Sequence, residues 1–106
     1  EMELKYPPRR EERLAENSEH LEMIFNLFGW LSLLFNDQQD KVAVHGDLSW
    51  YPTEDSQITV APDVFVIFGV EQKHRTSYVT HLENGISPQV VFELGSPGNR
   101  KAELKR

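Results

Sequence analysis

The feature that most constrains this chain is the run from Asp63 to Val70, DVFVIFGV. After its opening aspartate it carries no polar side chain, and it is dense in β-branched and aromatic residues that suit a pleated backbone. Successive side chains of a strand point to opposite faces. A strand apolar on both faces needs cover on both, which predicts a central strand between two layers. A second run of this kind, Gln89 to Leu94 (QVVFEL), predicts another buried strand.

Ahead of these strands, Leu21, Ile24, Phe25, Phe28, Leu31 and Phe35 recur at helical spacing, with Asn17 or Ser18 as N-cap and Asn36-Asp37 as the stop. Met23, Leu27, Trp30 and Leu34 form an adjoining face, so the apolar arc is wide and calls for cover on more than one side. Gly29 inside the helix suggests a close packing contact there. Val42, Val44, Leu48 and Trp50 then alternate with Lys41, Ala43, His45, Asp47 and Ser49. That pattern predicts one long strand with an apolar face and a mostly polar, solvated one. Pro52 to Ser56 is turn chemistry, Ile58 to Ala61 begins a further strand, and Asn84-Gly85 marks a turn in an irregular Gln72–Gly85 connector. Trp30 and Trp50 read as core residues. The fold class is α/β with a mixed sheet: an N-terminal arm over residues 1–16, then one domain over 17–106. After the Gly95–Gly98 loop, Asn99 caps a helix that has barely begun at Arg106, so the domain is expected to be incomplete at its C-terminus.

Composition narrows the function classes. The chain of 106 residues holds no cysteine, which excludes disulfides and thiolate metal sites and points to a reducing, cytoplasmic setting. Its longest apolar-rich stretch, Leu21 to Phe35, is about 15 residues and broken by Glu22, Asn26 and Ser32, short of a membrane span. The net charge of −6 weighs against nucleic-acid binding driven by charge alone. The cations gather at Arg9, Arg10 and Arg13, at Lys73, His74 and Arg75, and at Arg100, Lys101, Lys105 and Arg106. A solvated charge run is the first reading of each of these groups.

Two acids stand in the apolar strands: Asp63 opens the first and Glu93 lies within the second. A carboxylate among Val and Phe is costly unless paired, hydrogen-bonded or metal-bound. On adjacent strands the two could converge, and oxygen ligands without cysteine suit Mg²⁺ or Mn²⁺. The alternative is that Asp63 merely ends a turn after Pro62 and Glu93 pairs with a Lys or Arg.

Pro62-Asp63-Val64, followed by Val91-Phe92-Glu93-Leu94-Gly95-Ser96-Pro97-Gly98-Asn99, resembles a large bacterial family of restriction-endonuclease-like proteins within the PD-(D/E)XK nuclease superfamily. The central strand from Val60 to Val70, Arg75-Thr76-Ser77-Tyr78, Glu83-Asn84-Gly85 before Pro88, the helix from Asn17, and Gly46-Asp47-Leu48 fit that family in order. The resemblance covers about residues 17 to 106. It implies a restriction-endonuclease-like core, with Asp63 and Glu93 as metal-binding catalytic carboxylates and the main-chain carbonyl of Leu94 as a further ligand. It implies Mg²⁺- or Mn²⁺-dependent hydrolysis of DNA phosphodiester bonds, and a homodimer is compatible with it. The chain departs from the pattern at Gly95, where (D/E)XK would place lysine. Lys101 and Lys105 do not match the spacing of the lysine that family members carry further along.

Other candidates are secondary. His20 could face the site, as could Glu19 or Glu22. His45 and Asp47 share a strand face that could bind a ligand but reads as solvated, and His74 and His81 lack metal-ligand spacing. Two other functions remain open: a catalytically inactive module that binds nucleic acid or protein on the same fold, and a structural homo-oligomer subunit.

Overall fold

The computed structural model describes residues 18–94. The arm over 1–16, the Asn17 cap, the Gly95–Gly98 loop, the helix start at Asn99, and the arginines and lysines near either end lie outside the described residues. A helix α1 (Ser18–Leu34) is followed by a short 3-10 turn, Asn36–Gln38, and then by strands β1 (Val42–Gly46), β2 (Trp50–Tyr51), β3 (Val64–Phe68), β4 (Tyr78–Val79) and β5 (Val90–Phe92). A second 3-10 turn, Thr80–Leu82, follows β4. The molecule is a small mixed α/β fold: an antiparallel sheet in the order β1-β3-β5, and a parallel pair, β2 and β4.

The expected central strand is in place. β3 pairs with β1 on one side (Val44 opposite Val66) and with β5 on the other (Val64 opposite Phe92). Its alternation splits the core into two layers. Val64 and Val66 join Val42, Val44 and Ile24 under α1. Phe65 and Ile67 face the other way and join Ala43, Val70 and Tyr78, with Leu48, Trp50 and Ile86 packed around them. Phe65 is the hub of that second layer, stacked on Trp50 (ring centroids 6.5 Å apart) and edge-on to Tyr78 (6.1 Å).

Several expectations are corrected. The alternating run from Lys41 to Trp50 is two strands in two sheets, not one. Its period is unbroken, but Asp47 adopts a left-handed backbone (φ 52°), a conformation that aspartate tolerates, and the chain turns out of the sheet there. The Asp47 N–H still donates to the Asp63 carbonyl at 2.7 Å, closing the β1–β3 ladder. The face read as solvated is buried instead: Ala43 and His45 lie under the 70–86 segment, which sequence periodicity could not place. Ile58–Ala61 forms a single bridge, Val60 to Trp50, and no strand. Among the described residues β5 is an edge strand with Val90 and Val91 exposed, rather than a buried one. Trp30 is 70% exposed, and with Phe25, Leu33 and Leu34 leaves part of the α1 arc uncovered among the described residues. Among the described residues a Cβ on Gly29 would meet nothing within 4 Å, so no close packing there explains that glycine. Trp50 does join the core, its indole N–H donating to Thr80 Oγ1 at 2.9 Å.

Two glutamines finish the sheet where backbone partners run out. The Gln89 side-chain amide both accepts from the Phe68 N–H (2.8 Å) and donates to the Phe68 carbonyl (2.9 Å). Gln72 Oε1 accepts the outward N–H of Val44 on the free edge of β1. Buried or edge backbone groups need such partners.

Phe65 fills the centre of the second layer, so Phe65→Ala is expected to lower stability by about 3–5 kcal/mol. Chemical denaturation of the two proteins at neutral pH measures it, and a loss below about 1 kcal/mol would show that the layer is not built on this ring.

Candidate functional site

Asp63 is the residue around which the predicted site assembles. It precedes β3, is 2% exposed, and is held from three sides. Its carbonyl takes the Asp47 N–H at the exit of β1. Its Oδ2 accepts the Leu94 backbone N–H at 2.7 Å, just past β5. Its Oδ1 lies 3.3 Å from Nε2 of His20, in the first turn of α1. Three elements thus meet at one residue, two of them at its carboxylate. Each carboxylate oxygen has two lone pairs, so these contacts leave acceptor capacity on both.

The β3–β5 ladder ends at the Val64–Phe92 pair, and Glu93 follows it, between Phe92 and the Leu94 whose amide bonds Asp63. Glu93 is exposed, at the open end of the ladder. What the structure shows of Leu94 is its amide on Asp63, not a role for its carbonyl. His20, a secondary candidate in the sequence, is brought to Asp63; Glu19 and Glu22 are exposed on α1. Among the described residues no three His, Asp or Glu side chains are grouped to hold a metal ion. The acids at hand are the buried Asp63 and the exposed Glu93, and a hard divalent cation that keeps several waters takes one or two carboxylates.

Sequence reasoning missed a second polar cluster, on the Phe65 layer. Arg75 is nearly buried (side chain 4% exposed) and grips Glu83 with two bonds, Nε to Oε2 at 2.8 Å and Nη2 to Oε1 at 3.2 Å. Its Nη1 lies 3.0 Å from His45 Nε2, and its guanidinium rests over the Tyr78 ring, 5.4 Å from the centroid. Arginine can only donate, so His45 Nε2 accepts and the neutral ring carries its proton on Nδ1. Burial first, and then the Arg75 charge with a smaller push from His74, outweigh the opposing pull of Glu83 and take the His45 imidazole down to about 4. Burial, and next Glu83, push the Tyr78 hydroxyl up to about 12, and that hydroxyl donates to the Ile86 carbonyl at 2.7 Å. The signal in the sequence was the alternation itself. His45 shares a strand face with Ala43, and a small apolar residue on a supposedly solvated face marks a covered one. His81 is surface-exposed, 3.5 Å from Glu54.

His45 binds its proton less readily in the folded chain than in the unfolded one, whose pKa is near 6.5. Its contribution to stability is complete above pH 6.5, falls as the pH drops through that value, and levels off near pH 4. The shift corresponds to roughly 3 kcal/mol. Wild type is expected to lose more denaturation free energy between pH 7 and 4.5 than His45→Gln, whose amide oxygen can still accept from Arg75. Parallel curves for the two proteins would rule out a buried neutral His45.

No family model, curated protein or solved structure matches the chain, so its function is argued from its own residues and geometry.

Proposed function

We propose that this chain carries the core of a metal-dependent nuclease of the PD-(D/E)XK type, acting on DNA phosphodiester bonds. The observation that supports this most is the buried Asp63 carboxylate, fixed at the head of the central strand by the amide of Leu94, the residue after Glu93. In this reading Asp63 and Glu93 hold Mg²⁺ or Mn²⁺, with the Leu94 carbonyl as a further ligand. The metal, when bound, polarises the scissile phosphate and lowers the pKa of an attacking water. His20 acts on the carboxylate rather than on the substrate: its bond to Oδ1 fixes the rotamer of Asp63. The cation also offsets the chain's net charge of −6 where a phosphate must approach. Pairing of two copies would let two sites address two strands, and the uncovered Trp30, Leu33 and Leu34 of α1 offer apolar surface for it.

One observation favours a second reading, a non-catalytic binding module on the same fold. Both oxygens of Asp63 already have partners inside the protein, which is also how a purely structural aspartate is satisfied. Gly95 in place of the motif lysine points the same way.

Nicking of supercoiled plasmid in Mg²⁺, Mn²⁺ or EDTA separates the two. Expected are metal-dependent nicking by the wild type, none by Asp63→Ala or Glu93→Ala, and a loss of about 10–100-fold in His20→Ala. Far-UV circular dichroism of each variant confirms that it is folded. Absence of nicking by folded wild type, with DNA bound equally well in EDTA, would favour the binding module.

A further inference from the structure

A cleft of about 440 Å³ runs along the free edge of β1, between the first half of α1 and the segment at residues 72–75. Its size falls in the range of small-molecule sites. Neither Asp63 nor Glu93 lines it, and one of its lining residues, Asp47, bonds the Asp63 carbonyl through its N–H.

The two walls differ in chemistry. The α1 wall is apolar, with Leu21, Phe25 and Phe28, and Phe25 is 63% exposed. The facing wall is rich in hydrogen-bond donors. Gln72 spends its Oε1 on the Val44 N–H, so the group it has left is its Nε2 amide, a double donor. His45 spends Nε2 on Arg75, so its remaining group is the Nδ1–H, held in one tautomer by a guanidinium that cannot accept. Lys73 is exposed and has no ion pair among the described residues. The Arg75 charge is balanced by Glu83. Asp47 is the acid among the lining residues. Donors therefore outnumber acceptors opposite a wall of phenylalanine and leucine.

We propose that this cleft binds a small aromatic anion. Its ring lies against Leu21, Phe25 and Phe28, and its carboxylate or phosphate oxygens accept from His45 Nδ1–H, Gln72 Nε2 and the Lys73 ammonium. The bond from Arg75 makes His45 a fixed donor, so no reorganisation is needed when the ligand enters.

The test is an NMR titration of the full chain in EDTA with 2-naphthoate and, separately, phenyl phosphate. EDTA keeps the result independent of the nuclease reading. Expected are amide shifts at Gly46, Leu48 and Lys73, and an affinity about tenfold lower in His45→Phe. Lys73→Glu, at an exposed position that leaves the core intact, should also weaken binding and remove its salt dependence. This second variant decides the matter if His45→Phe does not fold. Tighter binding of one probe identifies carboxylate or phosphate as the preferred head group, and either outcome supports the site. No binding, shifts confined to Trp30, Leu33 and Leu34, or an affinity unchanged by Lys73→Glu would overturn it.

Discussion

The fold depends on burial of β3 from both sides. Val64 and Val66 are covered by α1, Phe65 and Ile67 by the 70–86 segment, and each of the four is at most 2% exposed. Neither layer could persist alone, because a strand covered on one face would leave the Phe65 or the Val66 side in water at a cost of a few kcal/mol for each large side chain. The flanking strands are set by the same requirement: β1 is covered on both faces for most of its length, while β5 is covered mainly at Phe92 and Leu94, on the α1 side.

Buried polarity follows the same geometry. A guanidinium beneath an aromatic layer is tolerable only if its donors are met. Glu83 meets two of them and His45 a third, while the Tyr78 ring covers its face. The histidine is thereby kept neutral, so one charge pair rather than a charge cluster is buried. Gln72 and Gln89 extend this logic to the sheet, each lending a side-chain amide where β1 or β3 has no backbone neighbour.

Asp63 joins the two themes. It stands where the central strand begins, and it receives hydrogen bonds or close contacts from the exit of β1, the end of β5 and the start of α1. A carboxylate fixed in this way is costly to place and stiff once placed, which is what a metal ligand needs. The same stiffness serves structure alone, and the proposed chemistry therefore turns on whether the exposed Glu93 works with it.

The sequence by itself determined the helix, the doubly buried strand at 64–68, the existence of the strand at 90–92 and the two acids in those runs, but not β4 inside the connector it read as irregular. Each is a local property: helical spacing, an unbroken apolar run, a carboxylate within such a run. Tertiary structure decided what local pattern cannot encode. The alternation from Lys41 to Trp50 gives no register, so it could not show that Asp47 would turn the chain into a second sheet, although Gly46-Asp47 is turn chemistry. The exposure of Trp30 and Val91 depends on which neighbours reach them, and hydrophobicity alone does not say. The pairing of Arg75 with both Glu83 and His45, and of His20 with Asp63, spans up to 43 residues of chain. Contacts of that separation exist only after the two layers have closed on β3.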